Sequence, residues 1–162
     1  MGRLYPTNEH RCYDAPAPNL ARFLTIVVPG TLDGLAEALR AAEAFCREAD
    51  APGLARANVM TALDEILANI VHHGLAGAPG SIELTMQQDH RQLVAHVADT
   101  AGPFDPLLLP PPDTTVPLEE RKIGGLGIAL VRALTDEVAY DRRDGRNHLT
   151  LTWRVGDGHS EG

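Results

Sequence analysis

Apolar and polar positions along the chain fall into short segments of two periods. ARFLTIVVPG, residues 21–30, is apolar almost throughout and stops at Pro29-Gly30, which predicts a buried β-strand. Thr31 offers a hydroxyl to cap a helix. In the following LDGLAEALRAAEAFCREAD, apolar residues recur every three or four positions, the spacing of one helix face. Ala-Pro-Gly at 51–53 breaks that helix, and a second helical pattern then runs to Gly74, a residue suited to a helix C-terminus. After the loop GLAGAPGS, the segments SIELTMQQ and QLVAHVAD alternate on either side of Asp89-His90, which predicts a hairpin. IALVRALTDE reads as a third helix, and VAYDRRDGRNHLTLTWRV as a last hairpin turned at Asp144-Gly145. Between them, residues 99–127 are rich in proline and show little periodicity, and a compact domain seldom carries such a loop without using it. The order strand, helix, helix, strand, strand, long loop, helix, strand, strand contains no repeat. It predicts an α/β (α+β) two-layer sandwich, with three helices on one face of a mixed, mainly antiparallel sheet. Residues 1–20 are polar and proline-bearing and read as an irregular arm, residues 21–155 as the domain, and 156–162 as a tail.

The second helix has an unusual cross-section. At about 100° per residue, Asn58, Ala62, Glu65, Asn69, His72 and His73 share one arc, and Val59, Met60, Leu63, Ile66, Leu67, Ile70 and Val71 fill the opposite one. An amphipathic helix with its wet face in solvent would give such a split. A solvated face, however, usually carries Lys, Arg and several Glu. This one carries a single carboxylate, a single carboxamide and small neighbours, the composition of a pocket floor.

Composition narrows the classes of function. A chain of 162 residues fits one domain with a real core. Hydrophobic residues make up 44 % but aromatics only 4 %, so the core must be aliphatic and alanine-rich. The net charge of −8 argues against direct binding to nucleic acid or to an anionic membrane. The apolar runs are far shorter than the roughly 20 residues of a membrane span. The opening MGRLYPTNEHRCYDAPAP lacks the apolar segment of a signal peptide. Cys12 and Cys46 stand in unrelated contexts without metal-ligand spacing, which suits a reduced, cytoplasmic protein. The adjacent His72 and His73 do not face one ligand, so a zinc site is not expected.

Three elements bear chemistry. The first is the Glu65/Asn69 stripe. The second is Asp99, thirty residues after Asn69, at a predicted strand end and followed by Thr-Ala-Gly-Pro. The third is Gly124-Gly125-Leu126-Gly127 at a predicted helix start, where backbone N–H groups can approach an anion. Taken singly, a GGLG also occurs in ordinary tight turns and an Asp at a strand end is often a turn-former. Their order and spacing together are rare.

The arrangement resembles the ATP-binding domain shared by histidine kinases, gyrase and the HSP90 chaperones, the Bergerat fold. Within it, the chain is similar to the stand-alone anti-sigma-factor serine/threonine kinases. The resemblance covers about residues 21–154 and is carried by DEILANIVHH, by DTAGPFDP, and by GGLGIALVRALTDEV with the trailing DGRNHLTL. It implies an ATP-binding kinase domain over 21–155 and roles for named residues. Asn69 would give its carboxamide oxygen to Mg²⁺, and Glu65 would orient and deprotonate the attacking hydroxyl. Asp99 would accept a hydrogen bond from the adenine amino group, beside Ala101 and Gly102. The amides of Gly124, Gly125, Leu126 and Gly127 would face phosphate, residues 107–123 would form a lid over ATP, and Arg121 and Lys122 at its end would neutralise phosphate charge. His73 would border the phosphate site or cap the helix. The implied partner is a STAS-domain anti-anti-sigma factor, phosphorylated on serine or threonine. In the family a sigma factor is the competing partner, and homodimers are frequent. The alternative is a nucleotide-binding partner switch that transfers no phosphate.

The chain also departs from the family pattern. Ala101 stands where the first glycine box has glycine, which would crowd the base if its backbone were left-handed. The final strand lacks the usual Gly-Thr pair, so Thr150 is assigned no nucleotide role. The 162 residues hold no dimerisation helix with a phosphoacceptor histidine, which argues against a complete sensor histidine kinase.

Overall fold

The computed structural model describes residues 21–111, 113, 115 and 125–156. Five strands form one sheet: β1 (Arg22–Pro29), β2 (Ser81–Gln88), β3 (Gln92–Asp99), β4 (Glu137–Arg143) and β5 (Arg146–Arg154). Their order across the sheet is β1-β2-β3-β5-β4, and all four pairings are antiparallel. The helices are α1 (Leu32–Glu48), α2 (Gly53–Asn69) and α3 (Gly125–Leu134). Among the described residues, no helix is long and apolar enough to cross a membrane.

Local chemistry accounts for most element boundaries. Thr31 caps α1, its hydroxyl accepting from Gly34 N at 3.1 Å. The β2–β3 hairpin turns where Asp89 Oδ1 accepts from the amides of Arg91 and Gln92 at 2.7 and 2.9 Å. These bonds hold the Asp89 carboxyl below its ordinary range. The β4–β5 hairpin turns at Asp144 and Gly145, both at positive φ (53° and 72°), as a two-residue turn that matches strand twist requires.

One face of the sheet carries the core. Ile82, Leu84 and Met86 of β2, Leu93, Ala95 and Val97 of β3, and Leu149, Leu151 and Trp153 of β5 are buried at alternate positions and lie in register. They join a single cluster with Ala38, Ala42 and Cys46 of α1, Val59, Leu63 and Leu67 of α2, and Ile128 and Val131 of α3. The three helices therefore cover the same face, and the small residues of α1 allow close approach in a core with few aromatics. The expected two-layer sandwich is the fold found, with a sheet that is antiparallel at every described pairing instead of mixed.

Two boundaries differ from expectation. The 21–30 segment forms an edge strand, not a buried one. Only Val28 is buried, and Phe23 and Val27 on the uncovered face are 68 % and 61 % exposed. An apolar run does not reveal whether its strand has one neighbour or two. The third helix begins within the glycines, at Gly125, and ends at Leu134 instead of continuing through Glu137. Thr135 Oγ1 turns back onto Val131 O at 2.8 Å, and Glu137 already pairs with Thr152 in the sheet.

Candidate functional site

Glu65 and Asn69 of the polar stripe lie against α3 and are half-buried, while His72 and His73 at its end are exposed. Gly127, in the first turn of α3, lies so close to Glu65 that a Cβ built there would overlap Oε2 and sit 3.3 Å from Cδ. The same Cβ would lie 4.0 Å from Asn69 Nδ2. Glu65, Asn69 and the start of α3 are thus neighbours, with glycine allowing the approach. Ala62, which falls in the same arc, is fully buried. Asn69 Nδ2 is buried and has no hydrogen-bond partner among the described residues. Buried amides are normally satisfied, so this unpaired donor singles the place out as a candidate binding point.

Just after Asn69 the helix widens. Residues Ile70–Leu75 form a π-helical turn, with Ala76 N bonding to Val71 O at 3.2 Å. The helix stops at Ala76 and Gly77, both at positive φ, rather than at Gly74. Gly74 instead makes a contact: a Cβ there would come within 3.1 Å of the Ala101 Cβ. The widened turn therefore brings the end of α2 against the loop that leaves β3, joining the Glu65/Asn69 region to the Asp99 region. Such π turns recur at functional sites.

Asp99 ends β3 and is only 5 % exposed. Its Oδ1 accepts from Ala101 N at 2.9 Å and from Asn147 Nδ2 at 3.0 Å. No hydrogen bond reaches Oδ2 from any described residue. Ala101 is buried and has no positive φ, so alanine sits there without backbone strain. The carbonyl of Gly102 accepts from Asn147 Nδ2 at 2.9 Å, and that of Ala101 accepts from Arg142 at 3.1 Å.

Asn147 escaped the sequence reading, together with Tyr140 and Arg142, which hold it. A signal was available: Asn147 is in phase with Leu149, Leu151 and Trp153, so an amide occupies an apolar position of β5.

The remaining sequence candidates are placed as follows. Gly125, Leu126 and Gly127 open α3, and the first amides of a helix have no partner within it. Trp153 Nε1 donates to Leu134 O at 2.8 Å, tying the other end of that helix to β5. His73 is exposed beside His72, with ring centroids 6.5 Å apart, and makes no hydrogen bond among the described residues. Gly124, Arg121, Lys122 and most of the 107–123 segment lie outside the described residues, as do the 1–20 arm and Cys12. Cys46 is packed in the core, where burial pushes its thiol up to about 11.

Comparison with known proteins identifies the domain family. Residues 28–153 match the model of the histidine kinase-like ATPase domain. A curated relative, the serine/threonine-protein kinase BtrW of Bordetella bronchiseptica, is 41 % identical over 90 residues. That alignment spans 55 % of this chain and 63 % of the relative, slightly under two thirds of its length. A crystal structure of the RsbU and RsbW domains of Rv1364c from Mycobacterium tuberculosis superposes with a TM-score of 0.59 at 19 % identity. It covers 83 % of this chain and 32 % of that one, a likeness of fold.

Proposed function

The chain belongs to the histidine kinase-like ATPase domain family, and from that premise we propose that it is an ATP-dependent protein serine/threonine kinase. Its substrate would be a STAS-domain anti-anti-sigma factor, with a sigma factor as the competing partner in a partner-switching pair. Support for the reaction type comes from the relative named as a serine/threonine-protein kinase and from the RsbW-type fold. The observation that carries the reading is the meeting of Gly127 with Glu65 beside the unsatisfied amide of Asn69. A module that only binds nucleotide needs no carboxylate at that place.

The residues fit a magnesium nucleotide. Asn69 offers a neutral, hard oxygen ligand in Oδ1, and its Nδ2, which has no partner among the described residues, could donate to a phosphate oxygen. Asn69 would hold Mg²⁺, whose charge would offset that of the phosphates. The first amides of α3, at Gly125, Leu126 and Gly127, would face the phosphates, where the helix N-terminus favours negative charge. Gly124, Arg121, Lys122 and His73 are proposed to border the same phosphates. Glu65 would accept the proton of the attacking serine or threonine hydroxyl as that oxygen bonds to the terminal phosphorus. The bond from that phosphorus to the β-phosphate oxygen would break, with ADP as the leaving group. Asp99 would accept the adenine amino group through Oδ2, the oxygen that no described residue engages, with Ala101 and Gly102 beside the base. A guanine carbonyl in that position would meet the carboxylate with like polarity.

The test is a phosphotransfer assay with the purified chain, Mg-ATP and a candidate STAS-domain protein. Transfer to a serine or threonine of the partner is expected. Tight ATP binding with no transfer to any such partner would favour the nucleotide-switched module instead.

A further inference from the structure

We propose that Asn147 is a positioning residue that sets base selectivity by deciding which oxygen Asp99 presents. The inference rests on the adenine-reading role given to Asp99 above. The antiparallel register of β3 and β5 sets Asn147 directly opposite Asp99. Like Asp99, it is only 5 % exposed, and a buried carboxamide is costly unless its groups are paired.

Here they are all paired, and the partners fix which end is which. Oδ1 accepts from Tyr140 OH at 2.7 Å, from an Arg142 guanidinium nitrogen at 2.9 Å and from Phe104 N at 3.3 Å. Nδ2 donates to Asp99 Oδ1 at 3.0 Å and to Gly102 O at 2.9 Å. A guanidinium and a backbone amide can only donate, while a carboxylate and a carbonyl accept, so the amide cannot be turned over without losing these bonds. The same Arg142 guanidinium also donates to Ala101 O at 3.1 Å and to Gly145 O at 3.1 Å. One cation thus fixes both the amide and the loop beside Asp99.

Two consequences follow for a base. Asn147 and Ala101 N occupy Oδ1, so Oδ2 is the acceptor left to receive a purine 6-amino group. Both N–H groups of Asn147 are spent, so the amide has none to offer a 6-carbonyl. The cluster presents a free acceptor and no free amide donor, which is the pattern that selects adenine. Without Asn147, Oδ1 would keep only the Ala101 amide. The carboxylate torsion is intrinsically broad and would then no longer be held to one orientation.

The experiment measures the affinity ratio of Mg-ATP over Mg-ITP, which carries a carbonyl where ATP has the amino group. Calorimetry is done on the parent chain, Asn147→Ala, Asp99→Asn, the double variant and Tyr140→Phe, with thermal melts alongside. A clear preference of the parent for ATP is expected. Asn147→Ala should lower the ratio by about tenfold, the usual worth of one hydrogen bond to a charged group. In the Asp99→Asn background the same change should move the ratio by less than about twofold, because the amide acts through the carboxylate. A merely structural Asn147 would weaken both nucleotides equally. A folded Asn147→Ala with the parental ratio therefore overturns the proposal. If it does not fold, Tyr140→Phe decides, since it removes one donor to Oδ1 and should lower the ratio by roughly twofold; an unchanged ratio overturns the proposal. A parent chain without preference for ATP would instead refute the role of Asp99, and the proposal with it.

Discussion

Gly127→Ala separates stability from phosphotransfer at a single position. Gly127 lies inside α3, and it is not among the glycines with positive φ, so alanine can adopt its backbone conformation. Replacing glycine by alanine within a helix is worth about 0.5–1 kcal/mol in favour of the fold. The new methyl would overlap Glu65 Oε2 and sit 3.3 Å from Cδ, but only 4.0 Å from Asn69 Nδ2, an ordinary contact. The carboxylate ends a flexible side chain and can retreat, by roughly 1 Å, without opening the core. A misplacement of that size typically costs about 10²-fold in rate. The variant should therefore melt at the parental temperature or up to roughly 4 °C higher, bind Mg-ATP with little change, and transfer phosphate about 10²-fold more slowly. Single-turnover transfer to a STAS-domain protein of the proposed kind, calorimetric affinity and a melting curve read the three quantities. Transfer at the parental rate would refute the inference that the carboxylate acts from its place against Gly127. Loss of stability together with activity would show that the glycine serves packing alone.

Glu65→Gln keeps the shape of the side chain and removes the proton acceptor. Nucleotide affinity should survive while transfer falls by about 10²–10⁴-fold, and a parental rate would remove Glu65 from catalysis. Asn69→Ala should lower both affinity and transfer, since it deletes the proposed metal ligand; unchanged Mg²⁺ dependence of ATP binding would count against that role. Asp99→Asn should abolish the preference for ATP over GTP in calorimetric titration, and equal affinities in the parent would already exclude the assignment. On the uncovered face of the sheet, His96 Nε2 and His148 Nδ1 lie 3.2 Å apart. Burial first, then the nearby His148, Arg143 and Arg146 against an opposing Glu83, hold His96 below its ordinary value of 6.5. Its folded pKa being depressed, the stability it contributes is full above 6.5 and is lost as pH falls below that value toward the folded pKa. Urea midpoints should drop between about pH 7.5 and about pH 5.5, and His96→Gln should flatten the drop; an equally steep fall in the variant would assign it to other groups.

The sequence by itself determined what depends on neighbours along the chain. Apolar spacing marked the five strands and three helices, Thr31 announced its own cap, and Asp144-Gly145 its own turn. The chemistry-bearing residues were legible because a helix must set Glu65 and Asn69 on one face, whatever packs against it. Tertiary structure alone decided what depends on distant partners. Glu65 and Asn69 lie beside the start of α3 because that helix reaches them with a glycine. The first strand is half exposed because its place in the sheet is at the edge. The phase of β5 could mark Asn147 as an amide at an apolar position, but only strand register set it opposite Asp99, 48 residues away in sequence. Periodicity tells which face of an element is apolar. It does not say which other element will lie against that face, and that choice is made by the packing of the whole core.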